Sequence, residues 1–311
     1  MLLDFKINNY KNINKEMVLN LDTNLFFICG GENSGKTSII DSIVFAISHM
    51  ISPAQYILKE KIPFYKNMLL NYKCNNKKCE FNIRIKLNGI TYNYALGLKN
   101  DELNNIIIDS EYLDIDEQIL FKRNEKNVQL SDIVKRYEIE KYIDDGIPLF
   151  SSIVISKKND TINNLYEHLK NMVVVDSSLN SLIVNDNNIS LLEKEKKNVL
   201  GILKRFNKNY KNFIIKGKDI TSIYENENKV DFINESTTIQ NILLYMPSII
   251  TAIKNGSIIV IDDIDRRFNM KFINIIRELI LNKNINKNNA QLITAVSSKE
   301  FIEESEKCLC I

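Results

Sequence analysis

Tryptophan is absent from this 311-residue chain, and glycine and proline are scarce, at 9 and 4 residues. That scarcity excludes a long flexible linker or a low-complexity tract, and it makes each glycine informative. Charge of one sign is missing too. Against 41 basic residues stand 39 acidic ones, a net charge of +2, so no whole-molecule field draws in nucleic acid or an anionic membrane. No apolar run approaches the ~18 residues that cross a bilayer. The start, Met1-Leu2-Leu3-Asp4-Phe5-Lys6, is charged where a signal peptide is apolar. The expectation is a cytoplasmic protein with no membrane partner. Five cysteines are an odd number and make no disulfide framework. Cys74, Cys79, Cys308 and Cys310 allow a four-thiolate zinc site. However, Cys308 and Cys310 alternate within Lys307–Ile311, which favours a final strand with two reduced thiols on one face.

What is present is an ordinary globular composition, 44% hydrophobic and 26% charged, enough for one large core or two lobes. Leu3, Phe5 and Ile7 alternate with Asp4 and Lys6 as a first strand, and Leu25–Cys29 is a buried one. After a glycine-rich loop comes a helix with Ile39, Ile40, Ile43, Val44 and Ile47 on one side. Ser38, Asp41, Ser42 and Ser48 lie on the other. From Phe81 the period is two, turning at Asn88-Gly89, a dipeptide suited to a two-residue hairpin. Short strands are expected near Ile106–Leu113 and Gln118–Lys122. Residues 160 to 215 read mainly as helices around a strand at Met172–Val175. Between Glu193 and Asp219 lie nine Lys or Arg against three acids, either a solvated face or a surface for nucleic acid or a partner. A helix is expected over Thr238–Lys254, kinked at Pro247 and ended by Gly256. A strand over Ser257–Ile261, a helix over Met270–Leu281 and a strand over Gln291–Val296 follow.

Gly30-Gly31-Glu32-Asn33-Ser34-Gly35-Lys36-Thr37 fits G-x4-G-K-[ST] between a buried strand and a helix, and holds three of the nine glycines. Glycines let successive backbone N–H groups turn inward around phosphates, and the helix that follows adds its positive end. Lys36 brings a full charge to the β- and γ-phosphates of ATP, and the Thr37 hydroxyl ligates Mg²⁺. The partner carboxylate is Asp262, at the carboxyl end of Ile258-Ile259-Val260-Ile261, about 225 residues later.

With these motifs the sequence resembles the ABC-type ATPase heads of the SMC, RecF and OLD group. It looks nearest to the short AAA-like ATPases of bacterial anti-phage defence operons, such as the AbiL type and the ATPase subunit of PARIS systems. The resemblance spans nearly the whole chain. It runs from Ile7-Asn8-Asn9-Tyr10-Lys11 through Leu165–Asn171 and Glu235-Ser236-Thr237-Thr238 to the Asp262-Asp263 pair and Gln291–Thr294. It implies an α/β P-loop fold in a single head. Residues 1–150 would hold the phosphate loop and a β meander, 151–219 a mainly helical segment, and 220–311 the signature motif and the magnesium carboxylate. It adds Lys11, Ser38 and Ser236 to the nucleotide-binding set, with Ser236 completing the site of a second protomer. It makes Asp263 the general base.

Departures from the family pattern are specific. Asp263 stands for the usual Glu, Thr237 for the signature glycine, and Ser297 (or Val296) for the switch histidine, while His49 and His168 lie elsewhere. Asp265 fits the closing turn, where Asn269 replaces Asp or His, and no Q-loop glutamine is placed. ATP and Mg²⁺ binding is expected, with slow hydrolysis. The leading expectation is a dimerising nucleotide switch controlling a separate nuclease or toxin. A RecF-like DNA-binding or repair protein and a structural subunit that keeps its ATP stand as alternatives. No coiled-coil arm or Toprim domain is expected.

Overall fold

The computed structural model describes residues 1–58, 78–102, 106–136, 146–175 and 186–311. Strands β1 (Leu2–Asn8), β2 (Met17–Asn20) and β3 (Leu25–Cys29) lead into helix α1 (Lys36–Ile57). A meander follows as β4 (Cys79–Leu87), β5 (Ile90–Asn100), β6 (Ile106–Ile115), β7 (Gln118–Asn124) and β8 (Asn127–Leu130). Helices α2 (Asp132–Lys135), α3 (Leu149–Ser156) and α4 (Asp160–Lys170) precede β9 (Val173–Val175). Next are α5 (Asp186–Lys194), α6 (Lys196–Phe206), β10 (Tyr210–Lys216), β11 (Asp219–Tyr224) and β12 (Lys229–Asp231). The last third contains α7 (Thr237–Asn255), β13 (Ile258–Ile261), α8 (Ile264–Arg267), α9 (Met270–Leu281), β14 (Gln291–Val296) and β15 (Lys307–Cys310).

The alternating strands build an antiparallel seven-stranded sheet, β2-β1-β4-β5-β6-β7-β8. The uniformly apolar strands build a parallel five-stranded one, β15-β3-β14-β13-β9. Such runs belong in a sheet covered on both faces. Phe26, Ile28, Val260 and Ile293 pack toward α1, which also meets Phe5, Phe81 and Ile83 of the seven-stranded sheet. Phe27, Ile259, Ile261 and Leu292 pack on the other face with Ile242 and Met246 of α7 and Phe272 and Ile276 of α9. The chain is therefore an α/β P-loop fold in which α1 lies between two sheets. Gln291 joins them: its buried amide takes Leu2 N–H (2.9 Å) and donates to the carbonyls of Leu2 (3.0 Å), Leu21 (2.5 Å) and Thr23 (3.0 Å).

Four expectations need correction. Leu2, not Leu3, is fully buried, because the pairing of β1 with β4 shifts by one residue between Leu2 and Asp4. The serine face of α1 is not solvated: Ser42 and Ser48 are buried, and the Ser42 hydroxyl donates to the Ile39 carbonyl at 2.6 Å. Helix α1 is also long and apolar enough by composition to cross a membrane, alone in this among the described residues, although most of it is buried inside the protein. Finally, the segment read as mainly helical ends in β10, which pairs with β11 and β12 in a third, antiparallel sheet. A bulge between Tyr210 and Asn212 breaks the alternation that would have announced it.

Candidate nucleotide site

Strand β3 delivers Gly30 to the carboxyl end of the parallel sheet, where its N–H donates to the Val296 carbonyl at 3.3 Å. A Cβ there would lie 2.5 Å from Ser34 Oγ and 2.6 Å from the Ile311 carbonyl oxygen, so the fold admits only glycine. Gly35 has φ +103° and precedes the first turn of α1 with no side-chain cap. The amides of that turn therefore have no side-chain cap, the arrangement found where helix starts receive anions. Lys36 is 6% exposed, and its ammonium donates to the carbonyls of Gly30 and Gly31, each at 2.7 Å. Ser34 Oγ is buried and takes no hydrogen bond among the described residues.

The opposite wall comes from the end of β13. Asp262 is 3% exposed, and its Oδ2 accepts the Thr37 hydroxyl at 3.0 Å. The hydroxyl and carboxylate oxygens assigned to a divalent cation are thus adjacent. Asp263 then takes a left-handed conformation, φ 45° and ψ 54°, which Asp tolerates better than most residues. That bend starts α8 and returns Arg266 over the loop. Its guanidinium meets Glu32 Oε1 at 2.6 Å and lies 3.8 Å from Asp263 Oδ2. Between the walls is a cavity of ≈ 450 Å³ lined by Asn12, Asp263, Arg266 and the loop from Glu32 to Ser38. Its volume lies in the range of small-molecule sites.

Of the expected set, Glu32 to Ser38 and Asp263 line the cavity, while Gly30 and Gly31 join it through the Lys36 ammonium and Asp262 through the Thr37 hydroxyl. Lys11 is not among the cavity-lining residues; it pairs with Asp41 of α1 and lies over the Tyr10 ring. Its neighbour Asn12 takes the lining position. Ser236 is also outside the lining of this chain's cavity. It caps α7, accepting Ile239 N–H at 3.4 Å. Asn269 caps α9 through Phe272 N–H (2.9 Å) and donates to Thr238 Oγ1 (3.1 Å), linking the starts of α9 and α7. Ser297 hydrogen-bonds Asp265 through both its N–H and its hydroxyl, tying the end of β14 to the turn after β13. Sequence reasoning missed Asn12 and Arg266. The only signal available for Arg266 was its place three residues after Asp263.

His49 and His168 are each lowered to about 4 by burial, so both rings are neutral near pH 7. Within the basic stretch, Arg205 pairs with Glu278 and Lys211 with Glu227. Cys79 is buried in β4, while Cys308 and Cys310 are exposed on β15 with their Sγ atoms 3.9 Å apart. Cys74 lies outside the described residues. Among the described residues no group of three or more His, Cys, Asp or Glu is arranged to hold a metal ion.

Residues 25–295 match the family described as "AAA domain, putative AbiEii toxin, Type IV TA system". A search among curated proteins finds no match. The SMC head domain from Thermotoga maritima shares the fold, with a TM-score of 0.52 and 12% identity over 99% of this chain and 94% of that one.

Proposed function

Because the chain belongs to this AAA-domain family of the type IV toxin–antitoxin kind, we propose that it is an ATP- and Mg²⁺-dependent switch of ABC-head type. The observation that carries the reading is the 3.0 Å contact between Thr37 Oγ1 and Asp262 Oδ2, which joins two motifs 225 residues apart beside a buried Lys36. Hydroxyl and carboxylate oxygens are hard donors suited to Mg²⁺, which keeps further positions for water and phosphate. Thr37 and Asp262 would hold the cation; when bound, it supplies charge neutralisation on the phosphates. Lys36 would exchange the carbonyls of Gly30 and Gly31 for phosphate oxygens. Ser34 Oγ and the uncapped amides of α1 offer donors to the same group.

Asp263 lines the cavity and would serve there as the base for the attacking water. With one methylene fewer than Glu it reaches less far, which favours slow turnover. Ser236 caps a 19-residue helix outside this chain's own cavity. The proposal is that a second copy supplies it, closing two heads around two nucleotides. The closed dimer would control a separate nuclease or toxin in anti-phage defence of the AbiL or PARIS type. Pairing of Arg205 and Lys211 with acids gives no support to the DNA-binding alternative.

The test is light scattering with and without ATP and Mg²⁺. The wild type should shift from monomer to dimer on nucleotide addition, and Ser236→Arg should stay monomeric while still binding ATP. A monomer at saturating ATP would overturn the switch. A dimer that persists without nucleotide would argue instead for a structural subunit.

A further inference from the structure

We infer that Arg266 reads the terminal phosphate of a bound nucleoside triphosphate, with Glu32 as its partner when no triphosphate is there. The inference rests on the ATP-binding reading above. Arg266 and Arg267 are adjacent but do different things. Arg267 turns into the protein, donating to the Tyr245 hydroxyl at 2.8 Å with its guanidinium 5.5 Å from the Tyr245 ring centre. Arg266 is folded back by the left-handed Asp263 and lines the cavity opposite the phosphate loop.

Its two contacts are acidic, and both belong to the site. Glu32 lies in the phosphate loop itself, a poor place for a carboxylate that must tolerate a polyanion. The Glu32–Arg266 pair offsets that charge, yet both side chains are largely exposed, at 78% and 53%. Pairs of this kind contribute little and exchange partners readily. A phosphate offers the same guanidinium more charge and two-pronged geometry. The second contact fixes which phosphate is read. Arg266 Nε lies 3.8 Å from Asp263 Oδ2, and a base that activates water must face the terminal phosphate. A group beside that base reaches the same phosphate. When Arg266 leaves for phosphate, Glu32 can turn to water, and Asp263 is freed from its cation to accept a proton. The side chain therefore discriminates triphosphate from diphosphate.

The experiment is calorimetric titration of the full chain with Mg²⁺ and either the non-hydrolysable imido analogue of ATP or ADP. It compares wild type, Arg266→Gln and Glu32→Gln. Arg266→Gln should weaken the triphosphate analogue about 10-fold or more, the worth of one charge-assisted hydrogen bond, and change ADP by less than about 3-fold. Glu32→Gln should bind the analogue as tightly as wild type or more tightly, since it frees Arg266 and removes a like charge. Equal losses in both variants would mean that the pair only holds the loop in place, which overturns the inference. Unchanged binding in Arg266→Gln overturns it too. Failure of the wild type to bind either nucleotide would instead sink the ATP-binding reading, and this inference with it.

Discussion

Replacing Glu111 with Gln should flatten the pH dependence of stability between pH 5 and pH 8. Glu111 is 1% exposed on β6, opposite Arg123 of β7. Its carboxylate accepts Leu149 N–H (2.7 Å) and Phe150 N–H (3.1 Å) at the start of α3, and the Tyr94 hydroxyl of β5 (3.0 Å). Burial is the largest influence and raises its pKa from 4.5 to about 7; the hydrogen bonds and Arg123 offset part of that rise. The folded state therefore keeps a proton that the unfolded chain releases. Stability from this proton is fully present below about pH 4.5 and is lost as pH rises through about 7, a change of roughly 3 kcal/mol. His49 and His168, lowered to about 4, act in the opposite direction, losing stability as pH falls from 6.5 through 4. They are common to both proteins and cancel in the difference. Glu111→Gln leaves one backbone N–H without an acceptor, so the variant should be less stable at pH 5. Urea unfolding at pH 5, 6, 7 and 8 should show the wild type losing roughly 2.5 kcal/mol more than the variant across that range, since part of the full change lies below pH 5. Parallel curves would refute the reasoning.

Gln291→Ala should cost at least about 3 kcal/mol in the same unfolding assay, because it strands four backbone groups at the junction of two sheets. A loss under about 1 kcal/mol would mean that water replaces the amide. Turnover measured by phosphate release should fall below about 1 s⁻¹ in the wild type. Asp263→Glu should raise it, by up to about 10²-fold if reach is limiting, and Asp263→Asn should lower it. A wild-type rate of tens per second would show that the shorter acid is no handicap.

The phosphate loop was legible because it is local: its residues are contiguous, and glycine is rare enough here for three within six positions to stand out. Helix α9 and strand β14 were legible from their apolar spacing between clear stops, and the Asn88-Gly89 hairpin from turn chemistry. The third sheet was not, since a bulge and a run of lysines hid its period. Nor was the burial of Glu111 and Arg123, which sit at positions that alternation alone reads as polar; the start of α3 and Ile147 just before it meet them. Arg266 and Asn12 reach the cavity only through the tertiary path of the chain, so neither carries a local signature.

The central claim, that the loop from Gly30 to Thr37 is an ATP site, is tested most directly by titrating wild type and Lys36→Ala with ATP and Mg²⁺ in a calorimeter. Lys36 is the only full positive charge that the loop itself places in the cavity lining, with its ammonium held in reserve on two backbone carbonyls. Saturable binding by the wild type, lost or weakened by about 10²-fold or more in the variant, is the predicted result. Equal affinity in the two proteins would contradict the assignment of the site.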